Sequence, residues 1–275
     1  MTVLHTHIPR STGPIELRDL GPNGRPLGTR ADCYDGSPWE LHRGELVRQM
    51  SSNGIHSILM FLLGTLFRTH ARDGHDVMGD VYCELIDPDE TLSIRAPDVV
   101  LARSVKRLKD GPFQGIPIVA VEIRATQSKK QLEEKVKLYL EHDWPCIWLV
   151  HAERREIEIV TPDAAPVVYR HGTDVPLVPE LDKYELKRIP VAALFDKEKF
   201  KSFCDGWVHQ LAAARAHARS LRSVLDARKF VVATDVYQRI VTTKDIEALE
   251  RWLVLAATAT SAEAFERSVQ ADAHA

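Results

Sequence analysis

Two carboxylates stand in this chain where a carboxylate is costly. Asp98 follows Pro97 and opens the short apolar run DVVLA, and Glu122 lies near the end of IPIVAVEI (116–123), which is otherwise apolar. A lone buried carboxylate is strongly unfavourable unless it is paired, protonated or bound to a metal. If the two runs are neighbouring strands, both acids reach one edge of a sheet and make a hard oxygen site suited to Mg2+ or Mn2+. The backbone carbonyl of Ile123 would add a ligand. An ion held there polarises a phosphodiester and lowers the pKa of its bound water. Two cations are spaced to steady that water or the developing charge. Arg124 lies two residues after Glu122, on the same strand face. Lys135 lies three residues after Leu132 and four before Tyr139, so it borders the inward stripe of a helix, and its long stem can snorkel to the sheet edge.

Each residue also has a plainer reading. Pro-Asp at a strand start is ordinary turn chemistry. Glu122 would be neutralised by Arg124 or Arg95, and Lys135 would be a surface lysine paired with Glu134 or Glu141. His56 would be a capped histidine at a helix start, and Glu40 and Glu45 solvated charges on a hairpin. Arg103, Lys106 and Arg107 follow the Asp98 strand and are candidates for phosphate contacts, which raise affinity without reading sequence; a solvated loop explains them equally well. Arg215, Arg219 and Arg222 read as a solvated helix face.

The elements that must position these groups are legible from pattern. Residues 1–34, rich in Pro and Gly, read as an extended arm. WELHRGELVR (39–48) turns about Gly44 and suggests a short hairpin. Ile55, Leu59, Leu62, Leu63 and Leu66 recur at helical spacing, predicting a helix over 54–71 with Ser51, Ser52 and Asn53 as possible caps. Strands are expected at 77–86, 97–102 and 116–123. The segment 128–143 carries a helical stripe and a Ser128…Gln131 capping box. Further strands are expected at 146–151, 156–160 and 167–171. A strand, a helix and a strand within 116–151 favour a parallel crossover, and thus an α/β sandwich with a mixed sheet. From about residue 199 the pattern turns helical: 207–226 and 242–259 have helical spacing, with caps expected at Thr242 and Thr260. The expected division is an arm (1–34), a catalytic-type domain (35–198) and a helical C-terminal region (199–275).

Composition bounds the function. The 275 residues are 44% hydrophobic with a net charge of -3, so any nucleic-acid surface is a local patch on a near-neutral protein. The four cysteines form no C-x-x-C pair, which argues against a zinc ribbon and for reduced thiols. The longest apolar run, Ile58 to Phe67, falls short of the ~20 residues that span a bilayer, and the start shows no secretory pattern. The expectation is a soluble, cytoplasmic protein with no membrane partner.

The run WELHRGELV (39–47), His56, APDVVLA (96–102), VAVEIRATQS (119–128), EKVKLY (134–139) and WPCIWLVHAERREIEIV (144–160) together resemble the Uma-type restriction endonuclease family, within the PD-(D/E)XK nuclease superfamily. The resemblance covers about residues 35–195. It implies a restriction-endonuclease type of fold with a helical C-terminal appendage, and metal-dependent cleavage of DNA. It further implies Asp98 and Glu122 as metal ligands, Lys135, four residues before Tyr139, as a catalytic lysine moved to the helix, and a glutamate, Glu45 or Glu40, that joins the metal. His56 would line the cleft. The segment after Glu122 is one residue shorter than the family pattern, and His151 stands where the family often has Asp. Two readings follow: a Mg2+- or Mn2+-dependent endonuclease, or a module that keeps the fold and binds nucleic acid or protein without cleaving. A metal-dependent hydrolase of small phosphate esters is a third. The C-terminal helices are candidates for a homodimer contact.

Overall fold

The computed structural model describes residues 15, 18–34, 36–49, 54–103, 112–124 and 128–272. The expected caps at 51–53, part of the arm, and Lys106 and Arg107 lie outside the described residues. The chain divides into two compact units, Met1–Phe200 and Lys201–Ala275.

The first unit opens with the hairpin. Strands β1 (Trp39–His42) and β2 (Glu45–Arg48) pair antiparallel. Arg43 and Gly44 join them with φ of 50° and 77°, the left-handed pair whose twist suits a two-residue hairpin turn. Helix α1 (Gly54–His70) follows and buries Leu59, Leu62, Leu63, Leu66 and Phe67.

Where one strand over 77–86 was expected, there are two. β3 (His75–Gly79) and β4 (Cys83–Ile86) belong to different sheets. The chain breaks at Asp80, whose φ is 47°; the Gly79-Asp80 pair was a turn signal inside an alternating run. Strand β5 (Leu92–Arg95), which the pattern did not suggest, completes a four-stranded sheet in the order β2-β1-β5-β4.

The larger sheet has six strands. β6 (Val99–Arg103) and β7 (Val119–Arg124) precede helix α2 (Lys129–Glu141), and β8 (Ile147–His151), β9 (Glu156–Thr161) and β10 (Ala164–Tyr169) follow it. Their order is β10-β9-β8-β7-β6-β3. Only β7 and β8, bridged by α2, run parallel; the other pairs are antiparallel. The sheet is therefore mixed, as the crossover argument required. Ser128 caps α2 by accepting from the Gln131 amide, and the reciprocal half of the capping box is present.

The two faces of the sheet differ. Along β7, Val119, Val121 and Ile123 alternate with Ala120, Glu122 and Arg124. On the α1 side, Phe67 meets Trp148 edge to face at 5.3 Å. On the α2 side, Leu132, Leu138 and Tyr139 pack with Ala120, Ile147 and Leu149, and Cys83 and Leu85 of the smaller sheet join them. Tyr139 stacks on Trp144 at 3.9 Å. Short strands β11 (Asp174–Pro176) and β12 (Arg188–Pro190) and helix α3 (Val191–Phe195) close the unit.

The second unit is helical. It contains most of α4 (Lys197–Ala227), then α5 (Thr234–Thr242), α6 (Ile246–Thr258) and α7 (Ala262–Ala271). Leu221, Leu225, Ile240, Leu249, Trp252, Phe265 and Val269 form its core. The caps fall at Asp245 and Ser261, which accept from the Ala248 and Ala264 amides, rather than at Thr242 and Thr260. The fold is thus α/β, with a mixed six-stranded sheet, a smaller antiparallel sheet and a helical C-terminal region. Among the described residues no helix is long and apolar enough to cross a membrane.

Candidate active site

The register of β6 on β7 sets Val99 opposite Val121. One step further sets Asp98 opposite Glu122, and directly opposed residues in a sheet share a face. The Asp98 amide donates to the Val121 carbonyl at 3.0 Å. Its carboxylate is held at both oxygens: Oδ2 accepts from the Ile123 amide at 2.5 Å, and Oδ1 lies 2.9 Å from His56 Nε2. His56 comes from the first turn of α1. Sequence reading left it between a cap and a cleft residue; the structure puts it against Asp98.

Glu122 is fully buried. Lys135 Nζ lies 3.0 Å from each of its oxygens, and the Tyr139 hydroxyl donates to Oε1 at 2.7 Å. The helical spacing explains this triad: Lys135 and Tyr139 are one turn apart on the face of α2 that covers the strand. Lys135 is no surface lysine, being only 4% exposed. It also donates to the Ala96 carbonyl at 3.2 Å and pairs with Glu40 Oε1 at 3.1 Å.

Glu40, on β1, is a site residue that the sequence pointed to only weakly. It is 3% exposed, accepts from the Ala96 amide at 2.9 Å, and pairs with Arg95 Nη1 at 3.4 Å. Arg95 is therefore the partner of Glu40, not of Glu122. One local signal was available: Glu40 stands mid-strand opposite Val47, between Trp39 and Leu41, whereas Glu45 stands at the turn opposite His42. Asp80, in the turn after β3, adds a fourth acid at the rim. Its amide donates to the Asp98 carbonyl at 3.3 Å.

The electrostatics follow from burial and from this excess of acids. Burial pushes the Glu122 carboxyl up to about 7; Lys135 opposes the shift, while Asp98 and Glu40 reinforce it. For Glu40, burial also raises the pKa, but Lys135 and Arg95 outweigh it and the carboxyl is held below its ordinary value. Burial lowers the Lys135 ammonium, but Glu122 and Glu40 more than compensate and hold it charged. The contact with Asp98 raises His56. Partial desolvation, then Asp98, raises Asp80.

Other expected site residues lie elsewhere. Arg124 is half-buried at the end of β7, opposite His151 in register. Among the described residues no acid lies within ion-pair distance of it, and no contact joins it to Glu122. Glu45 is not brought to the site: its oxygens accept from the Asn23 amide at 2.7 Å and the Asn23 side chain at 2.9 Å. Arg103 is exposed at the far end of the strand that Asp98 precedes, roughly 15 Å away at strand rise.

The donor set suits a hard cation. Among the described residues, the buried acids Glu40, Asp98 and Glu122, with Asp80 exposed at the rim, have two permanent cations beside them, Lys135 and Arg95, and three of the ionisable groups there are shifted toward holding a proton. A buried cluster with that balance takes up protons or a metal ion. Among the described residues no group of three His, Cys, Asp or Glu side chains stands ready to enclose an ion.

The pattern of the Uma2 family, described as "Putative restriction endonuclease", matches residues 32–192, more than half of the chain. A solved structure that is similar is that of a putative nuclease belonging to DUF820 from Anabaena variabilis; it shares 16% identity, covering 57% of this chain and 89% of that chain, with a TM-score of 0.49. That likeness carries no argument about the reaction. No curated protein matches the chain.

Proposed function

As the chain belongs to the Uma2 restriction endonuclease family, we propose that it is a divalent-metal-dependent endonuclease that hydrolyses phosphodiester bonds of DNA, with Mg2+ or Mn2+ as cofactor. The observation that supports this best is the buried opposition of Asp98 and Glu122, with Lys135 on Glu122 and more acids than permanent cations around them. Asp98, Glu122 and the Ile123 carbonyl would hold the ion. When bound, the ion would polarise the phosphodiester and lower the pKa of a coordinated water.

The chain's own groups do the rest. Lys135, held charged by Glu122 and Glu40, would donate to the attacking water or to a phosphate oxygen. Tyr139 fixes one Glu122 oxygen and so orients the carboxylate. Arg124, with its guanidinium uncommitted among the described residues, neutralises charge next to the site. Arg103, and Lys106 and Arg107 after it in the sequence, are outer phosphate contacts in this reading. The four free cysteines suit a reducing, cytoplasmic setting.

One observation favours the second reading, a non-cleaving module: the oxygens of Asp98 and Glu122 already have protein partners. Nicking of supercoiled plasmid separates the two. The endonuclease reading expects nicking with Mg2+ or Mn2+ that EDTA stops, that Asp98→Ala and Glu122→Ala abolish, and that Glu153→Ala, at an exposed site, leaves intact. An inert wild-type protein with either metal would leave the module reading standing.

A further inference from the structure

We infer that Glu40 is a positioning residue that receives Lys135 when Glu122 takes up a divalent cation. The inference rests on the metal-dependent reading above. Lys135 is shared among more acceptors than it has protons. Both Glu122 oxygens lie 3.0 Å from Nζ, Glu40 Oε1 lies at 3.1 Å and the Ala96 carbonyl at 3.2 Å. An ammonium offers three donors. A cation that binds Glu122 competes with the lysine for these oxygens, because the two positive charges repel in a poorly screened interior.

Without a second anion in reach, Lys135 would cling to Glu122 and oppose the metal. Glu40 removes that conflict without moving. Its Oε2 faces Arg95 Nη1 at 3.4 Å and its Oε1 already holds the Ala96 amide at 2.9 Å. Lys135 then passes from a three-way to a two-way arrangement, Glu40 and the Ala96 carbonyl, and keeps its charge beside the site. The same carboxylate anchors the Ala96 peptide, two residues before Asp98, so one group braces both the lysine and the second ligand. The smaller sheet thereby enters the chemistry: β1 supplies Glu40 and β5 supplies Arg95.

Titration calorimetry with Mn2+ on the full chain tests this. Glu40→Gln keeps the shape and an acceptor for the Ala96 amide but removes the charge. It is expected to weaken Mn2+ binding by about tenfold or more, within the usual range of coupling between sites. Lys135→Met is expected to tighten binding. In the Lys135→Met background Glu40→Gln is expected to have no further effect, which a merely structural role or direct ligation by Glu40 would not produce. Should Glu40→Gln fail to fold, Glu40→Gln with Arg95→Met leaves no uncompensated buried charge and carries the same expectation. Unchanged affinity in Glu40→Gln, or an equal loss with and without Lys135, overturns the handover while sparing the metal reading. A wild-type chain that binds no Mn2+ overturns both.

Discussion

The two faces of strand β7 solve opposite problems with one six-residue sequence. Toward α1 the strand presents Val119, Val121 and Ile123 to a dry layer where Phe67 and Trp148 meet edge to face. Toward α2 it presents Ala120, Glu122 and Arg124, and the cover is a helix with a buried lysine and a tyrosine hydroxyl aimed at the acid. The first face gains stability from apolar contact, at roughly 25 cal/mol per Å² of surface removed from water. The second gives some of it back, because buried charges cost desolvation that their attraction only partly offsets. A face built only for stability would have placed an apolar residue at 122. Retaining Glu122 under Lys135 is what the proposed metal-dependent reading asks of this face.

The largest expected contrast is kinetic. Glu122→Ala lowers plasmid cleavage about 10³-fold or more, whereas Phe67→Ala leaves cleavage per folded molecule near wild type. Phe67→Ala instead costs about 3–5 kcal/mol of stability, read from denaturant unfolding. If both variants lose activity alike at full folding, the division of labour between the faces fails.

Acid and base should separate the faces next, with no divalent ion present. His70 ends α1, and burial lowers its pKa to about 4 from 6.5. The unfolded chain thus binds more protons between those values, so stability is present above pH 6.5 and is lost as pH falls toward 4. On the other face Glu122 is raised to about 7 from 4.5. The folded chain binds more protons there, so stability declines as pH rises from 4.5 to 7. His70→Gln should flatten the acid slope, by on the order of 2 kcal/mol across the window. Glu122→Gln should be more stable than wild type at pH 8, by a similar order, and gain little at pH 4.5. Thermal unfolding at the two pH values reads both; a Glu122→Gln protein that is less stable at pH 8 would contradict the cost assigned to that face.

The smallest effect sharpens how α2 is seated. Ser128 accepts from the Gln131 amide, so Ser128→Ala should cost ~1 kcal/mol with little change in cleavage. A much larger kinetic loss would mean that the cap, and not the packing of Leu132, Leu138 and Tyr139, sets the position of Lys135.

Much of this arrangement was legible in the chain. The apolar run around Glu122, the capping box and the Leu132–Tyr139 stripe were local signals, and local signals fixed β7, α2 and the lysine's placement on the helix. The run over 77–86 reads as one strand because alternation continues across Gly79 and Asp80; the turn signal of that pair is weak beside it, and the chain changes sheet there with a positive φ at Asp80. Glu40 and Glu45 lie on one short hairpin, and the only local signal that separates them, mid-strand against turn, is weak. Their fates are decided by partners far away in sequence, Ala96, Arg95 and Lys135 for one and Asn23 for the other. α5 escaped notice because its nine residues bury only Val236 and Ile240, too few to show a period.

The most direct measurement is anomalous diffraction from crystals soaked in Mn2+. The account predicts one strong peak bonded to Asp98 and Glu122, with Lys135 withdrawn to Glu40. A difference map with no peak there, and Lys135 still on both Glu122 oxygens at saturating Mn2+, would contradict it.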